Sequence, residues 1–271
     1  MDRFRRRFPG RTHPPTPSVG RGEAVAIERG AYLDRGGASA TGVRPENQDR
    51  WAVGPCWGVV CDGVGGHAGG ARAAQLALDA VTSSLAAPDR PVSGADLDTA
   101  VEAATRAVRA GQDDDPTVSH MASTLTVASA IAVEPDASVW TVIHVGDSPA
   151  WLVTATESRP ITCDHNLAGD LARAGSLSTA DAAGHPGRRL LTRAIGVDDH
   201  AKPDTISVTL APGDALVLAS DGLSDVLDAA AIDEGLSPAN SATDGAERLV
   251  RMALDRGTTD NVTVVVLRHR A

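Results

Sequence analysis

Short apolar runs separated by turn residues dominate the chain from residue 24 onwards. The runs are rich in Val, Ile, Leu and Ala and are bounded by Gly, Pro, Asp and Ser, which is typical of β-strands in a layered protein. The predicted strands are 24–32, 51–53, 57–61, 124–133, 139–145, 150–154, 206–210, 215–219 and 262–267.

Helical periodicity occurs in separate blocks. Segments 70–86 and 95–111 are adjacent and Ala-rich, and their larger apolar residues recur every three or four positions. Two further helices are predicted at 167–174, before Gly175, and at 243–254, before Gly257. Strands that cluster together and helices that come in pairs favour α+β layers over the regular alternation of a parallel α/β sheet.

Two short turns join successive predicted strands. Residues 134–136 read Glu-Pro-Asp and residues 211–214 read Ala-Pro-Gly-Asp. Neither leaves room for a helical crossover, so both predict antiparallel hairpins.

The first 22 residues differ in composition from the rest of the chain. They hold six arginines, one aspartate and four prolines, with few large apolar side chains, so we expect a disordered basic tail at 1–22. The remainder, 23–271, predicts one domain. Since the whole chain of 271 residues has a net charge of −10, this domain carries −15, which disfavours nucleic acid as a partner.

Other classes of protein are disfavoured by what the sequence lacks. The three cysteines, Cys56, Cys61 and Cys163, form no CxxC pair and no even set, which argues against a disulfide scaffold or a thiolate zinc site. No apolar run approaches the roughly 18 residues of a membrane span. We therefore expect a cytoplasmic, monomeric protein without membrane contact.

Aspartates stand at the ends of several apolar strands. Asp62 and Asp221 each follow a strand and precede Gly, Asp147 follows Gly146 at the end of another strand, and Asp260 lies just before the last strand. A single Asp-Gly is an ordinary turn. Four strand-end carboxylates brought together would repel one another, and the usual partner of such a cluster is a hard divalent cation.

The glycines at 63–66 also match a loose dinucleotide fingerprint. A dinucleotide site needs a strand soon after its helix, whereas here a second helix follows and no strand is predicted before residue 124. The chain also lacks a phosphate-binding P-loop and a nucleophile elbow.

Eight motifs, taken together and in order, resemble the metal-dependent Ser/Thr protein phosphatases of the PPM (PP2C) family in its compact bacterial form. They are RPENQD at 44–49, VCDGVGGH at 60–67, STLT at 123–126, VGDS at 145–148, ITCDHN at 161–166, LTRAIG at 191–196, ASDGL at 219–223 and TDNVT at 259–263. The resemblance implies a PP2C-like α-β-β-α sandwich, in which two antiparallel sheets are flanked by helix pairs.

The resemblance also implies a site and a reaction. Asp62 would bridge two Mn²⁺ or Mg²⁺ ions, Asp221 and Asp260 would complete the protein ligands of the first, and the carbonyl of Gly63 would serve the second. A metal-bridged water would attack phosphorus in a phosphoserine or phosphothreonine monoester of a kinase substrate. The remaining roles implied by the resemblance are a phosphate-binding Arg44, Asp49 orienting a metal-bound water, and Asp147 holding a third, weaker ion together with Asp221.

The chain departs from the family pattern at two positions. Pro149 stands where Gly-Asp-Ser is usually followed by Arg, and Gln48 stands where many members have Glu. Two alternatives stay open: a pseudophosphatase that serves as a binding module, and a phosphatase of sigma-factor regulatory proteins. His67 and His165 are candidate zinc ligands or general acids, but a lone histidine after a turn is more often a hydrogen-bonded packing residue.

Overall fold

A computed structural model describes residues 32–65, 67–86, 92–237 and 239–270, except for the side chains of residues 67 and 68. The predicted tail 1–22 and residues 24–31 of the first predicted strand lie outside the described residues.

Two five-stranded antiparallel sheets form the centre of the molecule. One has the strand order β1-β12-β11-β8-β9 and the other has the order β10-β7-β6-β3-β2, while β4 and β5 form a small separate pair. The strands are β1 Leu33–Ala40, β2 Arg50–Val53, β3 Trp57–Cys61, β4 Gly63–Val64, β5 Ala122–Ser123, β6 Leu125–Glu134, β7 Ala137–Val145, β8 Ala150–Val153, β9 Ser158–Pro160, β10 Asp204–Leu210, β11 Ala215–Ala219 and β12 Val262–His269.

The described helices are α1 His67–Leu85, α2 Gly94–Asp114, α3 Leu167–Arg173, α4 Thr179–Ala183, α5 Asp221–Ser224, α6 Ala229–Leu236 and α7 Ala242–Asp255, with 3₁₀ turns at Pro116–Val118 and Pro186–Arg189. Two pairs of them, α1 with α2 and α6 with α7, cover the outer faces of the two sheets, and the three shorter helices lie between strands along the chain. Ser93 begins α2 with a capping box, in which its side chain accepts from the Asp96 amide. None of the described helices has the length and apolar character needed to cross a membrane.

Three apolar layers hold the sheets and helices together. Trp140, Leu216 and Leu267 lie between the sheets. A second layer packs α1 and α2 on the face formed by β3, β6 and β7, and a third packs α6 and α7 on β8, β11 and β12. This order of layers, helix–sheet–sheet–helix, agrees with the fold that the sequence predicts.

Most predicted strands and all four predicted helices are present within a few residues of their expected bounds. The hairpin at 134–136 is also confirmed, since β6 pairs with β7 in antiparallel fashion.

The predicted hairpin at 211–214 is wrong. β10 pairs with β7 in one sheet, whereas β11 pairs with β8 and β12 in the other. The turn therefore carries the chain between sheets. β10 is an edge strand with alternating burial and β11 is buried throughout, so the two strands suit different positions in the sandwich.

Candidate metal centre

The strand-end aspartates meet at one edge of the sandwich. Asp62 and Asp147 follow β3 and β7 of one sheet, and Asp221 and Asp260 flank the ends of β11 and β12 in the other. Hydrogen bonds join the residues next to the two sheets at this edge. The Ser220 hydroxyl, after β11, donates to Asp49 Oδ2, before β2, over 2.7 Å. Gln48 N also donates to Asn261 Oδ1 over 2.8 Å. The juxtaposition predicted from the strand ends is therefore present.

The backbone of Asp62 is fixed by Thr124, the residue between β5 and β6. Its amide donates to Thr124 Oγ1 over 2.9 Å, and its carbonyl accepts from the Thr124 amide over 2.8 Å. Burial is the main cause that raises the pKa of the Asp62 carboxyl well above its usual value, and the charges of Asp49 and Asp221 raise it further.

Gly63 lies where the chain approaches the first turn of α1. A Cβ on Gly70 would come within 2.6 Å of the Gly63 carbonyl oxygen, and a Cβ on Gly63 would collide with the Gly70 carbonyl. Only glycine at both positions allows this close approach. The Gly63 carbonyl, a predicted ligand, consequently lies in a crowded backbone loop beside Asp62.

Two carboxylate oxygens at this edge are buried without a hydrogen-bond donor. They are Oδ1 of Asp49, whose residue is only 3% exposed, and Oδ1 of Asp221. Burial, followed by the charge of Asp147, raises the pKa of Asp221 well above its usual value. A buried carboxylate oxygen without a donor is costly unless a cation reaches it, so these oxygens fit hard metal ions that take oxygen ligands.

Asp260 is occupied by protein donors. Its Oδ2 accepts from the Arg44 guanidinium over 2.6 Å, and its Oδ1 accepts from the Asn261 amide over 2.8 Å. Arg44 Nε also donates to the Thr259 carbonyl over 3.2 Å. The two residues predicted to hold phosphate and metal therefore bind one another, at the exposed rim of the site.

Asp147 belongs to a second group of acids beside the first. Burial is the largest cause that raises its pKa to about 7, and the charge of Asp164 adds to it, while a hydrogen bond from the Asn166 side chain opposes it. Burial also raises the pKa of Asp164. The positive charge of Arg188 lowers this pKa, and the negative charge of Asp225 raises it.

An ion pair lies next to this second group of acids. Arg188, in the 3₁₀ turn that follows α4, contacts Asp225 at the end of α5 over 2.8 Å. Sequence reasoning did not single out Arg188, Asp164, Asp225 or Ser220. The signal available for Asp164 and Ser220 was their position inside matched motifs, whereas nothing local indicated the ion pair.

Cys61, the cysteine next to Asp62, does not suit the role of a thiolate nucleophile. Cys61 precedes Asp62 but is fully buried, and this burial raises the pKa of its thiol far above neutrality. The chemistry available at this edge is that of clustered carboxylates.

The carboxylates do not form a complete metal cage by themselves. Among the described residues, no three His, Cys, Asp or Glu side chains are arranged to hold an ion. Two of the carboxylates bind protein donors instead, because Asp260 Oδ2 accepts from Arg44 and Asp49 Oδ2 accepts from Ser220. The orphaned oxygens fit an ion, while the assignment of individual ligands stays a prediction.

Comparison with known proteins identifies the family. Residues 37–257 match the family model described as protein phosphatase 2C. Over 229 residues the chain is 35% identical to the serine/threonine protein phosphatase PstP of Mycobacterium tuberculosis (strain H37Rv), which covers 83% of this chain and 42% of the relative. The chain thus spans less than half the length of that relative. It is 31% identical over 222 residues to the protein phosphatase PhpP of Streptococcus pneumoniae, covering 77% and 84%.

A solved structure shares the fold. The catalytic domain of PstP in complex with two manganese ions superimposes with a TM-score of 0.76 at 31% identity, over 88% of this chain and 99% of that one. The α-β-β-α sandwich predicted from the motifs is therefore confirmed, and the chain belongs to the protein phosphatase 2C family.

Proposed function

We propose that this protein is a Mn²⁺- or Mg²⁺-dependent phosphatase that hydrolyses phosphoserine and phosphothreonine monoesters in proteins phosphorylated by Ser/Thr kinases. The observation that carries the proposal is the pair of buried carboxylate oxygens without donors, on Asp49 and Asp221, beside Asp62. The named functions of the relatives and the two manganese ions of the solved one support it.

The core ions would be held by Asp62 between them, by Asp221 and Asp260 on one, and by the Gly63 carbonyl on the other. Divalent ions in such a site lower the pKa of water and neutralise charge on a transferring phosphoryl group. Asp260 could serve as a ligand through the remaining lone pair of either oxygen, or by releasing the exposed Arg44 guanidinium.

Arg44 and Asp49 act on the substrate side of the site. Arg44 lies at the rim with its guanidinium 53% exposed, where a planar fork can hold two phosphate oxygens. Asp49 is fixed by Ser220, which leaves its Oδ1 free to accept a proton or orient water beside Asp62. These two residues would align the phosphoryl group and its attacking water.

Asp147 would hold a third ion together with Asp221. It has fewer partner acids than Asp62 and lies near the positive charge of Arg188. We therefore expect this ion to be the weakest bound. In a calorimetric Mn²⁺ titration, Asp147→Ala should lose one weak site and keep the tighter ones. Loss of every site would place Asp147 in the core instead.

We assign catalysis to residues 23–271 and none to residues 1–22, and we expect a cytoplasmic monomer. A phosphorylated sigma-factor regulatory protein, the substrate in the alternative interpretation, would be one phosphoprotein substrate among others.

The purified protein tests the proposal directly. It should release phosphate from phosphoserine and phosphothreonine peptides in Mn²⁺, release much less from a phosphotyrosine peptide, and stop in EDTA. A pseudophosphatase would bind the peptides and release no phosphate in any metal, and release that persists in EDTA would exclude metal-dependent catalysis.

A further inference from the structure

His165 is a buried histidine that the proposed reaction does not use. Its side chain is fully buried, and the residue holds both sides of Gly146. The Gly146 amide donates to His165 Nδ1 over 3.1 Å, and the His165 amide donates to the Gly146 carbonyl over 2.7 Å. Gly146 directly precedes Asp147.

The conformation of Gly146 needs such a restraint. Its φ of +109° is one that other residues rarely adopt, and a Cβ there would meet the Thr124 side chain. Because Asp147 extends from this turn, the direction of its carboxylate follows from how Gly146 is held.

The hydrogen bonds define the tautomer of His165. Nδ1 accepts from an amide, so it carries no proton, and the proton resides on Nε2. Nε2 lies 3.1 Å from Asp204 Oδ2, which accepts that proton as a hydrogen bond, and 3.0 Å from the guanidinium of Arg193, which can only donate and which also binds Asp204 Oδ1 over 2.9 Å. Asp204 therefore keeps Nδ1 available as an acceptor for Gly146.

Asp204 also connects His165 to the segment that follows it, in which Arg188 lies close enough to the second group of acids for its charge to act on them. We call residues 167–193 the flap segment; it contains α3, α4 and the 3₁₀ turn with Arg188. Asp204 Oδ1 accepts from Arg193 over 2.9 Å, and its Oδ2 lies 3.6 Å from Arg173 at the end of α3.

Asn166, the next residue, begins the flap helix. Its side-chain oxygen accepts from the Gly169 amide over 2.9 Å as the cap of α3, and its Nδ2 donates to Asp164 Oδ2 over 3.4 Å, in the second group of acids. Two consecutive residues just before the flap segment thus contact this part of the site: His165 holds the Gly146–Asp147 turn through the backbone, and Asn166 binds Asp164.

We infer that His165 is a positioning residue, whose Nδ1 holds the Gly146–Asp147 turn in the conformation that binds the third ion, and whose Nε2 joins this turn through Asp204 to the flap segment. The inference rests on the proposed role of Asp147. These hydrogen bonds would connect the flap segment to Asp147, a predicted metal ligand.

Two amide substitutions distinguish the role of Nδ1 from the role of Nε2. In His165→Asn the side-chain oxygen lies near the position of Nδ1 and can still accept from Gly146. In His165→Gln the amide reaches the position of Nε2 and can still donate to Asp204, but no acceptor remains for Gly146. A merely structural role would make both variants equally defective.

The main readout is Mn²⁺ affinity by calorimetry. Loss of an outer hydrogen bond to a metal site typically weakens binding about 10–100-fold, so His165→Gln should weaken the weakest site by about tenfold or more and leave the tighter sites within about twofold. His165→Asn should stay within about threefold of the parent. Equal loss in both variants, or an unchanged weak site in His165→Gln, would overturn the inference.

His269 provides the matched control. It is also fully buried and hydrogen-bonded, to Ser138 Oγ over 3.0 Å and the Pro135 carbonyl over 3.2 Å, but it lies at the opposite end of β12 from Asp260. His269→Gln should change stability without changing the weak site. If it weakens that site as His165→Gln does, general loosening explains both results and the inference is wrong.

Two further measurements keep the test decisive. If the His165 variants fail to fold, Asp204→Ala, at a position about a third exposed, should still weaken the weak site because the tautomer is no longer held; an unchanged site would contradict the inference. Amide hydrogen exchange at Gly146 should be faster in His165→Gln than in His165→Asn. If Asp147→Ala keeps the weak site, the proposed third-ion role fails, and the exchange rates alone then decide the role of His165.

Discussion

Burial, and after it the negative charges of Asp49, Asp221, Asp147 and Asp260, raises the pKa of the Asp62 carboxyl. Asp62→Asn removes one charge from this group and one predicted bridge between ions. We expect the variant to lose hydrolysis of p-nitrophenyl phosphate even at high Mn²⁺. Full activity would show that Asp62 does not bridge ions.

The same substitution should stabilise the protein in EDTA, in a pH-dependent manner. A carboxyl whose folded-state pKa lies above its unfolded value penalises folding only where the unfolded chain has lost the proton, so the penalty is absent below about pH 4 and grows as the pH rises through the folded pKa. The gain in melting temperature of Asp62→Asn over the parent should therefore be small at pH 4.5 and larger at pH 8. A gain that shrinks with rising pH would contradict this assignment.

Arg44 should contribute mainly to phosphate binding. Arg44→Ala should raise KM for p-nitrophenyl phosphate about tenfold or more and change kcat less, since charge-assisted hydrogen bonds contribute about 1.5–3 kcal/mol. Arg44→Lys keeps the charge but not the fork, and should recover part of the loss. An unchanged KM in Arg44→Ala would remove Arg44 from the phosphate site.

At the residue scale, the sequence predicts which aspartates lie in the site better than it predicts the side chains that contact them. Asp62, Asp147 and Asp221 are each marked by the apolar strand that precedes them. The pairing of Arg44 with Asp260 joins residues 216 positions apart, and no local pattern carries that information. The prediction that His165 is a hydrogen-bonded packing residue is confirmed, whereas its partner Asp204 could not be predicted, because it belongs to a distant edge strand.

At the level of elements, continuous apolar strands such as β3 and β11 are predicted accurately, because both faces are buried and the pattern has clear ends. β1 was missed, since its sequence LDRGGASA contains few β-forming residues. It is held by its register with β12, from Leu33 opposite His269 to Ala40 opposite Val262. Tertiary pairing therefore overrides weak local propensity there.

The loop after β1 depends on Gly42 for its approach to the site. Gly42 has a φ of +61°, and a Cβ there would collide with the Asp260 carbonyl oxygen. Gly42→Ala should lower the free energy of unfolding by about 1–3 kcal/mol and weaken Mn²⁺ binding by displacing Asp260.

Gly94 serves as the control for that substitution. It begins α2, and a Cβ there would meet nothing within 4 Å. Gly94→Ala should be neutral or slightly stabilising in chemical denaturation. Equal stability of the two alanine variants would show that the Gly42 contact carries no constraint.

At the scale of the whole molecule, the sandwich brings the ends of both sheets to one edge, and the chemistry we propose needs only this body. A chain that starts at Arg21 should therefore hydrolyse p-nitrophenyl phosphate within a few-fold of the full chain. A large loss on this small substrate would show that residues 1–20 complete the site.

The central claim is that the aspartates of both sheets form one site for divalent ions, and calorimetric titration with Mn²⁺ tests it most directly. We expect the parent to bind two ions tightly and a third weakly, and Asp62→Asn to lose the tight binding. Asp136→Asn, which changes an exposed acid in the β6–β7 turn, should titrate like the parent. Tight binding that survives in Asp62→Asn, or no Mn²⁺ binding by the parent, would contradict the account.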